Sequence, residues 1–200
     1  MNASIGVLAL QGAFAAHVGA VRELGCDARE VRLPDDLVGL DGLILPGGES
    51  TTMSNLLRSS GLHEPIVDFV RRGRAVFGTC AGMILLADQI LDGRDDQIAL
   101  GGLDITVRRN GYGRQVDSFE TDLDVTSFDG PFHAVFIRAP LIERRGAAVE
   151  VLAEHDGRAV LVRESNVLAS SFHPELTRDG RVHAIFVNMV EECASSTRTQ

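Results

Sequence analysis

Apolar residues come as short unbroken runs toward both ends of the chain and alternate with polar ones through its middle. The runs at 5–10, 43–45 and 75–77 contain no polar side chain, and 168–172, with two serines, reads as a further strand. Such segments fit strands buried on both faces of a parallel sheet. Between them lies helical spacing. Phe14, Val18, Val21 and Leu24 recur at three- and four-residue steps and end at Gly25, and further helices are expected through 55–57, over 65–72 and from Ile84 onward. A short strand is expected at 28–31. From Leu103 the texture changes to alternation, at 105–107, 117–120 and 123–125. Residues 133–137 read as a buried strand leading into Arg138-Ala139-Pro140. Residues 149–155 and 158–162 flank Asp156-Gly157, the strongest hairpin signal in the chain, with a type I′ turn expected. A last helix is expected over 181–193, and the polar tail 195–200 is expected to fray. The pattern predicts an α/β fold with a doubly wound, mostly parallel sheet flanked by helices and ligands at the strand C-termini.

Composition narrows the function classes. Two hundred residues without a linker, a repeat or a shift in texture predict one domain over 1–200. A formal net charge of −9 with no basic block argues against nucleic acid as a partner. No apolar stretch reaches membrane-spanning length and the N-terminus carries no basic leader, so no membrane partner and a cytoplasmic location are expected. Cysteines 26, 80 and 193 have neither metal-site nor redox-pair spacing, and their odd number disfavours a disulfide framework. No metal is expected.

One of those cysteines stands where chemistry is done. Gly78-Thr79-Cys80-Ala81-Gly82 follows the strand-like 75–77 and opens a helix. This is the thiol counterpart of a nucleophile elbow, in which small residues make room for a sharp strand-to-helix turn. A helix N-terminus favours a thiolate, and its free N–H groups, that of Ala81 foremost, can receive the oxyanion of a tetrahedral intermediate. A lone cysteine in apolar surroundings is ordinarily an inert core residue, so the neighbours must decide. One neighbour is the loop 46–52, which ends the strand expected beside that of Cys80. Its two glycines permit positive φ and close approach of a ligand, and Gly48 N–H is a candidate second oxyanion donor. Ser50 or Thr51 is expected to cap the following helix. Without Gly-Lys-Ser/Thr this is no phosphate loop.

The other neighbour is His173-Pro174-Glu175, which ends the strand at 168–172. In extended backbone, residues two apart share a side, so Glu175 can fold onto the His173 ring. Cysteine, histidine and an orienting acid make an activated thiol nucleophile. Histidines 17, 63, 133, 155 and 183 have no comparable setting and are taken as surface or structural.

These segments resemble the class I glutamine amidotransferases, a flavodoxin-like α/β fold. Within that class the chain is similar to the family of glutaminase subunits of pyridoxal 5′-phosphate synthase. The resemblance rests on 6–12, 45–52, 77–83, 109–120, 136–140 and 171–177, of which 109–120 and 136–140 specify the family. It implies that Cys80, His173 and Glu175 form the catalytic triad, that Gly48 and Ala81 supply the oxyanion hole, and that Gly48, Glu49, Ser50, Arg109, Ile137 and Arg138 bind L-glutamine. It also implies hydrolysis of glutamine to glutamate and ammonia, with the ammonia passed to a separate synthase subunit and no bound cofactor. From the residues alone, the glutaminase of another amidotransferase, a different cysteine hydrolase and a non-enzymatic sensor remain open.

Overall fold

The computed structural model describes residues 3–94, 96–109 and 118–197. In chain order its elements are β1 (Ser4–Leu8), α1 (Phe14–Glu23), β2 (Asp27–Val31), a 3-10 turn (Pro34–Leu37), β3 (Gly42–Leu45), α2 (Ser50–Ser59), α3 (His63–Arg71), β4 (Ala75–Thr79), α4 (Ala81–Leu86), β5 (Ala87–Leu91), β6 (Leu103–Arg108), β7 (Ser118–Leu123), β8 (Phe132–Ile137), β9 (Leu141–Arg145), β10 (Glu150–His155), β11 (Arg158–Glu164), β12 (Val167–Ser170), a second 3-10 turn (Pro174–Leu176) and α5 (Arg181–Thr197).

The main sheet runs β10-β11-β12-β4-β3-β1-β2. Its five strands β2, β1, β3, β4 and β12 are parallel, and β11 and β10 continue the sheet antiparallel. Numbered among themselves, the parallel strands follow the order 2-1-3-4-5, the flavodoxin-like arrangement. Period-two side-chain alternation explains why they had to be apolar throughout. Leu8, Leu43, Leu45, Val76 and Ala169 point to a core under α2, α3 and α4. Ile5, Val7, Ile44, Phe77 and Leu168 point to the opposite core under α1 and α5.

The hairpin turn is as expected, with φ of 49° at Asp156 and 71° at Gly157. Several expectations are corrected. The helix after Cys80 is a single short stretch ending at Leu86. The chain then turns into β5, which pairs in parallel with β6. The apolar run 84–87 fits either structure, and pairing with a distant strand decides it. Strand β8 is exposed on alternate residues and pairs with β7 outside the main sheet. Strand β9, rich in charge, gave no apolar signal and was not foreseen. Helix α5 continues over 195–197, where a polar tail was expected; 198–200 lie outside the described residues.

For function, the useful result is adjacency. Strands β3, β4 and β12 are neighbours, so the segments leaving their C-terminal ends meet on one edge of the sheet. Glycine makes the β4–α4 corner possible. A Cβ on Gly82 would collide with the Leu45 carbonyl oxygen, and one on Gly78 would lie 2.6 Å from the Gly82 carbonyl carbon. Gly82→Ala is therefore expected to lower stability by about 1–3 kcal/mol. Gly19→Ala, at an exposed helix position with open space around it, is expected to raise it by about 0.5–1 kcal/mol. Urea unfolding midpoints of the two variants check both signs.

Candidate active site

Cys80 sits between β4 and α4 with φ 50° and ψ −102°, a positive φ at a residue bearing a side chain. Such strain costs on the order of 1–3 kcal/mol and persists only where the surroundings enforce it. Here Cys80 N–H donates to Ser170 O at 2.8 Å, tying the corner to the end of β12, while Cys80 O accepts from Ile84 N–H at 3.2 Å. The thiol faces Ile137 O at 3.9 Å.

His173 leaves β12 with its N–H on Val135 O of β8 at 2.8 Å. Its Nδ1 lies 2.8 Å from Glu175 Oε1, and the ring shares its pocket with Cys80. With Nδ1 engaged by the carboxylate, Nε2 is the nitrogen left for the thiol. The pairing of 173 with 175 was expected from extended backbone, and that reason is corrected. Pro174–Leu176 is a 3-10 turn with His173 at φ −108°, ψ 85°, and the turn curls Glu175 back beneath the imidazole. Burial works against charge on His173, yet its partners Cys80 and Glu175 outweigh it and raise the pKa well above the ordinary value. Burial likewise opposes charge on Glu175, but His173 and then His17 hold its carboxyl below the usual range. At neutral pH the pair is imidazolium and carboxylate.

The glycine loop after β3 plays a different part from the one expected. Neither Gly47 nor Gly48 has positive φ. Gly47 is needed for room, since a Cβ there would strike His173 Cε1 and lie 3.4 Å from Cys80 Cβ. The loop is thus packed between Cys80 and His173. The α2 cap is also corrected: neither Ser50 nor Thr51 caps it. Glu49 does, accepting from Thr51 N at 3.0 Å, Thr52 N at 2.6 Å and Thr52 Oγ1 at 2.7 Å. Desolvation opposes its charge, but the hydrogen bonds from Thr52 and Thr51 prevail and push its pKa down to about 2. Glu49 Oε1 also receives Arg109 Nη2 at 2.9 Å.

A pocket of about 240 Å³ opens among Gly48, Glu49, Ser50, Cys80, Ile84, Arg109, Ile137, Arg138 and His173. It gathers every residue expected to bind glutamine, together with Cys80 and His173. Ala81, buried, follows Cys80 at the start of α4, and Glu175 lies behind His173. Arg138, on the rim, has φ 43°, a second strained backbone at the pocket. Of the family-specific segment 109–120, residues 110–117 lie outside the described residues. Sequence reading missed Ile84, which looks like any apolar helix residue. It also missed His17, whose Nε2 lies 3.4 Å from Glu175 Oε2. No spacing in the sequence connects α1 with the turn at 174–176. Among the described residues no group of three or more His, Cys, Asp or Glu side chains is arranged to hold a metal, and no helix is long and apolar enough to cross a membrane.

The architecture is that of the class I glutamine amidotransferases. It is similar to a crystal structure described as a glutamine amidotransferase, at TM-score 0.88 and 51% identity over 94% of this chain and 98% of that one. The chain belongs to the SNO glutamine amidotransferase family, whose sequence pattern matches residues 7–192. It is 58% identical to pyridoxal 5′-phosphate synthase subunit PdxT of Mycobacteroides abscessus over 95% of this chain and 98% of that protein. It is 60% identical to the subunit of the same name from a Parafrankia species, over 93% and 92%.

Thiol environment separates the three cysteines. Burial, and then nearby Glu191 and Glu192 respectively, push the thiols of Cys26 and Cys193 up, whereas Cys80 opens on the pocket beside an imidazolium. A diazo-ketone analogue of glutamine is expected to modify Cys80 and spare the other two at pH 7. Peptide mass spectrometry after labelling checks this, and modification spread evenly over the three thiols contradicts it.

Proposed function

We propose that this chain is the glutaminase subunit of a pyridoxal 5′-phosphate synthase, hydrolysing L-glutamine and passing the ammonia to the synthase subunit. What carries the reading is one pocket, in a chain of the glutamine amidotransferase family, that holds a strained cysteine beside a histidine bonded to a buried carboxylate. In this reading 1–200 is one glutaminase domain at work in the cytoplasm, a setting that keeps the thiols of Cys26, Cys80 and Cys193 reduced.

The chemistry follows from the positions. The Cys80 thiolate attacks the side-chain amide carbon of glutamine, and the oxyanion that forms is received by the N–H groups of Ala81 and Gly48. His173 gives its proton to the departing nitrogen, ammonia leaves, and a γ-glutamyl thioester remains on Cys80. Neutral His173 then takes a proton from water, whose oxygen attacks the thioester, and glutamate leaves as the thiolate is restored. Glu175 holds the ring in the tautomer that presents Nε2 and steadies the imidazolium. Arg109 and Arg138 face the substrate's α-carboxylate, while Glu49 and the Ile137 carbonyl face its α-ammonium group. The ion pair between Glu49 and Arg109 sets their spacing before substrate arrives.

The experiment is ammonia release from glutamine with and without the synthase subunit. The wild-type chain is expected to be slow alone and faster with synthase, because Gly48 is the exposed residue of its loop and a partner can set its peptide. Loss of one oxyanion donor costs about 10²–10³ in rate. Cys80→Ala is expected to abolish release in both states while glutamine still binds. Glu175→Gln is expected to lower kcat sharply with a smaller effect on KM. Wild-type turnover in Glu175→Gln removes Glu175 from the triad, and no release from any mixture refutes the glutaminase reading.

A further inference from the structure

Behind Glu175 lies a pair of imidazoles with no part in the chemistry above. His17 comes from α1 and His183 from α5, and they are 0% and 1% exposed. His17 Nε2 is 3.4 Å from Glu175 Oε2 and 3.3 Å from Thr79 Oγ1, at the end of β4. His17 Nδ1 is 2.9 Å from His183 Nε2. The Phe77 ring meets both imidazoles edge-on, with interplanar angles of 89° to His17 and 84° to His183. The pair therefore stands on the strand that carries the nucleophile and faces the turn that carries the carboxylate.

Hydrogen-bond bookkeeping fixes the protons. Glu175 engages His173 through Oε1, whereas its Oε2 is buried and makes no aligned hydrogen bond. A buried carboxylate oxygen left without a donor is costly. Burial, against the pull of Glu175, pushes the pKa of His17 down to about 4, and burial together with His17 pushes that of His183 down to about 3. Each ring is neutral at pH 7 and has one N–H. If His17 has its proton on Nδ1, that proton goes to His183 Nε2. His183 is then left with a buried, unpartnered Nδ1–H, and Glu175 Oε2 gains nothing. If His17 has its proton on Nε2, its hydrogen-bond partner there is Thr79 Oγ1 at 3.3 Å, and Oε2, 3.4 Å away, gains a donor within reach. Nδ1 then accepts from His183 Nε2–H, and the atom left over is the bare His183 Nδ1, an acceptor with no proton to satisfy. The second arrangement leaves fewer orphaned groups.

We propose that His17 is a positioning residue for the glutaminase reaction: its Nε2–H takes up Glu175 Oε2, so that Oε1 stays on His173, and His183 sets the tautomer in which His17 can do this. The inference rests on the glutaminase reading above. The 3.4 Å separation is that of the unliganded chain, and catalytic contacts commonly tighten once substrate is bound. A purely structural His17, joining α1 to α5, needs no particular tautomer and no effect on turnover.

The test measures glutamine hydrolysis by the complex with the synthase subunit. His17→Phe keeps the ring against Phe77 but removes the N–H. It is expected to lower kcat about 10–100-fold, the usual effect of removing a group that orients a reacting one, with KM for glutamine unchanged. His17→Gln, whose amide N–H stands where Nε2–H stood, is expected to recover most of the loss. In a Glu175→Gln background His17→Phe is expected to have no further effect, because its partner is already altered. Wild-type kcat in His17→Phe, an equal loss in both backgrounds, or a Gln variant no better than Phe would each overturn the proposal. Should His17→Phe not fold, nitrogen-15 NMR of the wild-type chain decides. A neutral His17 protonated on Nε2 supports the proposal, and one protonated on Nδ1 overturns it. A wild-type complex that releases no ammonia from glutamine refutes the glutaminase reading instead, and is told apart from failure of the His17 proposal by that control.

Discussion

The ion pair between His173 and Glu175 is the constraint on which the rest of the site depends. A carboxylate whose side chain is fully buried is tolerable only when it is paired and hydrogen-bonded. The 2.8 Å contact to Nδ1 provides this, and it dictates much of the surrounding structure. The chain must curl into a 3-10 turn directly after β12 to bring residue 175 under residue 173. Strand β12 must lie beside β4 so that the ring reaches Cys80. The β3 loop must present a residue without a side chain against the ring, which is why Gly47 is glycine although its backbone is ordinary. Thiol, imidazole and carboxylate are thereby held on three segments that fold as one edge of a sheet.

Two residues with strained backbone lie at the same edge. Cys80 and Arg138 both have positive φ, and they flank a single pocket. Neither residue would adopt that backbone unaided; for Cys80 the parallel strands and the hydrogen bond from its N–H to Ser170 O supply the restraint. The result is a thiol aimed before any substrate arrives, which is where enzymes gain most from a rigid scaffold. Glu49 shows similar economy: one carboxylate caps α2 and holds Arg109, so the N-terminus of a helix and the mouth of the pocket are built together.

Much of this was legible in the sequence because local chemistry and long-range placement agreed. Unbroken apolar runs meant strands buried on two faces, and they alternate between two cores as expected. Gly78 and Gly82 around one cysteine meant a cramped corner. His173 and Glu175, two residues apart at a strand end, meant a pair. What escaped depended on contacts between distant segments. The run 84–87 became a helix end and then a strand because β6 lies alongside it. The charged β9 was stabilised by its partner β6 and not by its own pattern. His17 looked like an ordinary helix residue because nothing near it in sequence names Glu175 or His183. Glu49 outdid Ser50 and Thr51 as a cap because its longer side chain reaches two N–H groups of the first turn at once. Gly47 and Gly48 do not use the positive φ that glycine permits, and at Gly47 it is space beside His173 that requires glycine.

The central claim is that Cys80 attacks glutamine and holds the γ-glutamyl group while ammonia leaves. The most direct measurement is rapid acid quenching of the complex with the synthase subunit during its first turnover, followed by mass spectrometry of the cysteine-bearing peptides. The account predicts a γ-glutamyl group on the peptide bearing Cys80, appearing as ammonia is released and decaying as glutamate forms. Ammonia release with that peptide unmodified at every quench time, or a glutamyl group on Cys26 or Cys193, would contradict it.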